Sequence, residues 1–238
     1  MTIYRSDIIQ GRHKMDINKL IIESIAKQPT DEPRRYIGAS SIGKECSRSI
    51  WYGLHNAQGK PIDSQLRITF KIGKILEVMI LDGVSKLGFE LDRPSEINNY
   101  LFCQEENLQI FQGHMDAVLY LNRECPVVFE AKTCKNSSFN AFKKDGLRVW
   151  SQTYFAQLQS YMGMTGIPSA CLLALNKDTS EYHHEWVDYD EIYYHELVAK
   201  ARDISIATEP PERINKSPLY WVCASCKFKD ICHGGAEG

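Results

Sequence analysis

Residues 113–132, "GHMDAVLYLNRECPVVFEAK", decide how the rest of the chain is read. Two apolar runs, "DAVLYL" and "PVVFEAK", flank the turn-rich connector "NRECP", the pattern of two strands joined by a short loop. Alternate strand residues share a face, so Val128, Glu130 and Lys132 project to one side while Val127, Phe129 and Ala131 project to the other. Glu130 and Lys132 are therefore neighbours. A carboxylate and an ammonium interrupting an apolar strand are costly to bury unless they pair or bind something. Asp116 begins the preceding strand, and a hairpin through residues 122–126 brings it beside Glu130. The glycine of "GHMD" is expected to let the backbone bend tightly just before Asp116.

Two carboxylates placed this way offer oxygen ligands suited to Mg²⁺ or Mn²⁺. A lysine beside them can orient a water or stabilise charge on a phosphate, and together they equip a site for phosphodiester hydrolysis. A D…ExK spelling alone is common, and an exposed Glu–Lys pair would share it. The apolar company of Glu130 is what that blander account leaves unexplained. A third carboxylate, Glu77, falls at the edge of the apolar face of a long helix expected over about residues 66–87, one turn after Gly73. A mid-helix glycine costs about 1 kcal/mol relative to alanine, so Gly73 suggests a close approach of that helix to the sheet. Further on, "SQTYFAQLQSYMGM" places Gln157 and Tyr161 four apart on one helix face, where both can hydrogen-bond phosphate or base edges and the tyrosine can stack.

Around these segments the pattern reads as mixed α and β. Helices are expected at 16–27, at 40–54 with Ser40 or Ser41 as cap, at 151–164 and at 189–205, and the long one ends at Gly88. Extended runs at 89–93, 108–113, 116–121 and 126–132, with short connectors, predict an antiparallel meander. Strands follow at 169–176, buried, and at 182–187, at an edge. The expected architecture is a mixed sheet flanked by helices, with residues 1–39 as a helical extension and 40–238 as one globular unit.

The chain has 238 residues, 43% hydrophobic and 24% charged, enough for one substantial core. Its start, "MTIYRSDIIQGRHKMD", lacks an apolar signal core, and no run reaches membrane-spanning length, so a reducing cytoplasm and no membrane partner are expected. The net charge of −2 carries no global sign of nucleic-acid binding. Local basic groups must carry it: Arg34 and Arg35, Arg48, the Arg67/Lys71/Lys74 series, and Lys143, Lys144 and Arg148, each equally an ordinary solvated face.

Of eight cysteines, three crowd into "CASCKFKDIC", residues 223–232, as C-x2-C-x5-C. Without a secretion signal they read better as metal or cluster ligands than as disulfides. Such sites usually take four ligands, and the fourth is either the adjacent His233 or a distant residue. Cys103, Cys125, Cys134 and Cys171 are scattered singly and read as buried free thiols.

Gly73 to Glu77, "GHMD", "EAK" and "QLQSY" occur in the order of the motifs of the RecB-like branch of the PD-(D/E)XK nuclease superfamily, which the chain resembles from about residue 40 to its last cysteine. That resemblance implies a restriction-endonuclease-like core that cuts DNA with a divalent metal. It makes Asp116, Glu130 and Glu77 metal ligands, Lys132 the catalytic lysine, and Gln157 and Tyr161 the Q-x-x-x-Y motif contacting DNA. The first motif is often a histidine, where this chain has Glu77. Iron–sulfur members of the branch carry one cysteine before the core and three after it, which implies a [4Fe-4S] cluster on Cys46, Cys223, Cys226 and Cys232. Four thiolates also suit zinc, the less favoured alternative. The activity implied is that of an exonuclease on DNA ends or single strands in phage or bacterial recombination or repair. A CRISPR adaptation nuclease that trims DNA before integration is the alternative within the class. A non-catalytic iron–sulfur DNA-binding module is the alternative outside it.

Overall fold

The computed structural model describes residues 16–28, 34–93, 101–122 and 124–234, and among them the chain builds two mixed β-sheets with helices packed on them. The five-stranded sheet runs, in spatial order, β2 (Glu90–Asp92), β5 (Ala117–Tyr120), β6 (Pro126–Cys134), β7 (Ser169–Asn176) and β8 (Tyr182–Asp188). β5 and β6 are antiparallel with Ala117 opposite Phe129, while β6 and β7 are parallel with Glu130 opposite Leu172. The three-stranded sheet runs β1 (Ile37–Gly38), β4 (Phe111–Met115), β3 (Leu101–Gln104). Ile37 and Gly38, which lie inside the expected extension, thus pair with β4.

The single meander does not form. β4 joins the smaller sheet, β3 is an addition to the expected strands, and β2 pairs directly with β5. The two environments differ in burial. β4 buries only alternate residues, Phe111, Gly113 and Met115, as a sheet with one covered face does, whereas Ala117, Val118 and Leu119 of β5 are buried in succession. Only Asp116 separates the two patterns.

The helices are α1 (Ile17–Ala26), α2 (Ala39–Ile42), α3 (Ser47–Leu54), α4 (Ser64–Ser85), α5 (Asn136–Asp145), α6 (Leu147–Trp150), α7 (Gln152–Thr165), α8 (Glu191–Ile206), α9 (Trp221–Ala224) and α10 (Lys229–His233). Asp16, Asp63, Ser151 and Asp190 cap α1, α4, α7 and α8 by accepting from backbone N–H groups of the first turn. The helix expected over 40–54 is broken into α2 and α3 at residues 43–46, and Gly43 there lies against α7: a Cβ on it would stand 2.7 Å from Thr153 Cα and Ala156 Cβ. α5 escapes the sequence reading, its buried residues being only Phe139 and Phe142.

Packing follows the strand period. Val128 joins Leu158, Tyr161 and Met162 of α7 in one core, while Val127, Phe129 and Ala131 meet Ile80, Leu81 and Val84 of α4 in another. The large sheet is thus clamped between α4 and α7. Gly73 does not serve this clamp, since a Cβ at that position meets nothing within 4 Å among the described residues and the neighbouring Phe70, Ile72 and Ile75 are exposed. A third core joins Ile37, Ile42, Ile50 and Phe111 to α8. The chain after α8 returns along α3: Arg48 donates to the carbonyls of Pro210 and Pro211 at 3.2 and 2.7 Å, and Trp51 Nε1 to that of Ala207 at 2.8 Å. No described helix is long and apolar enough to cross a membrane.

Candidate active site

Asp116 occupies the single-residue step from β4 to β5, one position beyond the Ala117–Phe129 pair, where the register sets it opposite Glu130. Its Oδ2 accepts a 2.9 Å hydrogen bond from the backbone N–H of Ala131, which fixes the carboxylate against β6. Glu130 is 1% exposed. Its Oε1 is shared by two donors, the Lys132 ammonium and, at 2.9 Å, the Gln157 side-chain amide. Its Oε2 is buried with no hydrogen-bond partner among the described residues. A buried carboxylate oxygen without a donor is costly, and it is the chemistry that a hard cation satisfies.

Electrostatics follow from this crowding. Burial pushes the Asp116 carboxyl well above the usual carboxylate range, and the Glu130 charge pushes it further, with Glu77 adding to the effect. Glu130 is raised by burial too, against the pull of Lys132. For Lys132, burial alone would loosen the proton, but Glu130 and Asp116 outweigh it and hold the ammonium charged. Glu77 projects from α4 close enough to act on both carboxylates; its side chain is 18% exposed, and Oε1 accepts from Lys74 at 2.6 Å.

Gln157 and Tyr161 come together as the helical spacing requires, but both are buried. Gln157 donates to the Tyr161 hydroxyl at 2.7 Å, and that hydroxyl donates to the His114 carbonyl at 2.6 Å. Their polar atoms thus tie α7 to Glu130 and to β4. The glycine of "GHMD" makes this possible by absence of bulk rather than by a turn. β4 continues through it to Met115, and a Cβ on Gly113 would lie 2.5 Å from the Tyr161 ring. The sequence reading passed over Tyr154, whose ring centroid lies 4.9 Å from the Lys132 ammonium. Its position three residues before Gln157 on the same helix was the available signal.

The basic series on α4 is bound up locally: Arg67 donates to the Gln28 carbonyl at 2.9 Å and Lys74 pairs with Glu77. A more concentrated positive region surrounds the cysteines. Cys46, Cys223, Cys226, Cys232 and His233 line one cavity of about 670 Å³, together with Lys44, Arg148, Arg213, Lys227 and Lys229. Cys46 caps α3, and the others sit on or between α9 and α10. Burial raises the Cys223 thiol, and Cys46, Cys232 and Cys226 are near enough to raise it further. The His233 Nε2 is buried and has no partner among the described residues, so both candidates for a fourth ligand face the same space. No group of three or more His, Cys, Asp or Glu among the described residues is gathered at metal-holding distance. Cys103 and Cys171 are the buried free thiols expected, pushed up to about 12 by burial, whereas Cys125 is exposed.

The fold has counterparts among solved structures. An alkaline exonuclease from Laribacter hongkongensis, LHK-Exo, matches with a TM-score of 0.54 at 12% identity, over 73% of this chain and 87% of its own, and its complex with dAMP matches to the same degree. The structure of SSO0001 matches with a TM-score of 0.54 at 18% identity, over 90% of this chain and 93% of its own. No protein-family model and no curated protein sequence matches the chain. At these identities the likeness is one of fold, a mixed α/β architecture.

Proposed function

We propose that the protein is a metal-dependent deoxyribonuclease that works as an exonuclease. The observation that carries this reading is the state of Glu130: buried in the sheet, one oxygen shared by Lys132 and Gln157, the other unpaired, with Asp116 alongside. The fold shared with an alkaline exonuclease that has been seen with dAMP supports DNA ends as the substrate. Asp116 and Glu130, with Glu77, would hold Mg²⁺ or Mn²⁺, which supplies a polarised phosphate oxygen and an acidified water when bound. The Ala131 amide keeps Asp116 aimed at the site, and Gln157, braced by Tyr161, keeps Glu130 from swinging away. Lys132, held charged, meets the negative charge that grows on the phosphate as the bond breaks.

We assign Cys46, Cys223, Cys226 and Cys232 to a [4Fe-4S] cluster that joins the C-terminal arm to α3, with zinc as the competing ion. Visible absorbance of an anaerobic preparation, with iron and zinc analysis, decides between them; a Cys46→Ser protein with a full metal complement would hand the fourth position to His233. For the activity, end-labelled single- and double-stranded DNA, blocked in turn at the 5′ and 3′ ends, is incubated with Mg²⁺ or Mn²⁺. Mononucleotide release by wild type and its loss in Lys132→Ala is the expected result. Wild-type cleavage by Lys132→Ala would overturn the assignment.

A further inference from the structure

Three aromatic rings lead away from the Lys132 ammonium, Phe142 in the core and Trp150 and Tyr154 partly buried against it. The Tyr154 ring lies 4.9 Å from Nζ, Trp150 lies 5.4 Å from Tyr154, and Phe142 stacks on Trp150 at 4.6 Å with planes 20° apart. Phe142 is fully buried, whereas Tyr154 and Trp150 are only half-buried, so the series runs from the core outward to the site. Trp150 is held in place, its Nε1 donating to Ser138 Oγ at 2.9 Å. Trp150 also lines the cavity of about 670 Å³ beside Lys44, Arg148, Arg213 and Lys227. Rigid aromatic surface between a charged reaction centre and a cationic cleft is the composition of a path for unpaired nucleotides. The rings offer faces to bases, and the cations offer charge to phosphates.

We propose that Tyr154 and Trp150 form a stacking platform for the bases that flank the scissile phosphate. The substrate implied is a single strand or a frayed end, because bases within a duplex already stack on one another. This inference rests on the nuclease reading, and two measurements separate them. In the first, cleavage of a single-stranded oligonucleotide is compared with that of the same oligonucleotide carrying an abasic residue next to the cut bond. Wild type should lose about 5- to 150-fold in kcat/KM on the abasic substrate, the range spanned by base–aromatic stacking. Tyr154→Leu should lose a similar factor on normal DNA and then show less than about a twofold further loss on the abasic one, since the partner of the missing base is already gone. Tyr154→Phe, which keeps the ring, should keep the abasic penalty. If Tyr154→Leu and wild type pay the same abasic penalty, Tyr154 serves only to hold Lys132 or fill the core, and the platform is refuted while the nuclease stands. Tyr154→Met repeats the comparison should the leucine variant fail to fold.

The second measurement requires no cleavage. With EDTA present, 2-aminopurine is placed at each position of a ten-nucleotide strand in turn, and its emission is read on binding. Quenching at one or two adjacent positions that disappears in Tyr154→Leu supports the platform even if wild type cuts no DNA, a result that would sink the nuclease reading alone. Unchanged quenching in the variant, or no binding of DNA at all, overturns the platform.

Discussion

The carboxylate site and the cysteine-lined cavity are organised by opposite means. Asp116, Glu130 and Lys132 sit on a sheet whose register leaves little freedom, and each has a partner already in place: an amide for Asp116, an ammonium and a side-chain amide for Glu130. The cysteines sit on a cap residue and two short helices, and the arm that carries three of them is tied to α3 by a few side-chain-to-carbonyl bonds. The first region is built from inside the fold. The second is held by those bonds, by the Lys60 N–H donating to the Lys227 carbonyl at 2.7 Å, and by Phe228, buried against Tyr52. Function at the first should therefore depend on charge, and stability at the second on attachment.

Asp116→Asn is the sharpest way to test this division. It keeps an acceptor for Ala131 and removes only the charge, so cleavage should fall about 10²- to 10³-fold. The folded Asp116 carboxyl is raised, so its stability contribution is present at low pH and is lost as pH rises through that value. Removing the charge should leave the melting temperature in EDTA at neutral pH unchanged or higher, while abolishing the upward shift expected of wild type in Mg²⁺. A large loss of metal-free stability would break the comparison. Next in size is the pH profile. Because Asp116 and Glu130 both ionise late, kcat/KM at limiting Mg²⁺ should climb about ten- to hundredfold per pH unit on an acid limb above the ordinary carboxylate range near 4, and raising Mg²⁺ should move that limb down. A limb that ignores metal concentration would detach these carboxylates from metal binding.

Gln157→Leu should lower kcat by about 10-fold with KM nearly unchanged, through the cost of withdrawing a buried donor from Glu130, and should also lower the melting temperature. An effect confined to KM would return Gln157 to direct DNA contact. The smallest catalytic effect belongs to the other region. Arg48→Ala removes two charge-assisted bonds to the arm, worth about 2 kcal/mol, and should lower the melting temperature by about 4–8 °C while changing cleavage at 25 °C by less than about twofold. A collapse of cleavage would show that the arm shapes the acidic site.

Much of the carboxylate site was legible because it rests on local periodicity. The period of two in "VVFEAK" placed Glu130 and Lys132 on one face, and the helical spacing paired Gln157 with Tyr161. What was not legible depended on contacts between distant segments. The alternation in "FQGHM" and the continuous apolar run in "AVLY" match the two burial patterns, but nothing in either names its partner strands, so the change of sheet at Asp116 could not be read from them. The same holds for Gly113, which looks like a bend until the Tyr161 ring is seen against it. Gly73 is the converse case, a glycine that promised close packing but whose added Cβ would meet none of the described residues within 4 Å.

Sequence alone determined the chemical types and their local facing: carboxylates and a lysine on one strand, paired polar groups on one helix, three thiols in ten residues. These follow from backbone geometry, which repeats over two or four residues whatever lies beyond. Tertiary structure decided who meets whom. It buried Gln157 and Tyr161 behind Glu130 instead of presenting them to solvent, left one Glu130 oxygen unpaired, set Tyr154 beside Lys132, and brought Cys46 and His233 to the same cavity. Those outcomes depend on which surfaces exclude water from which, and that is a property of the whole packed chain rather than of any stretch within it.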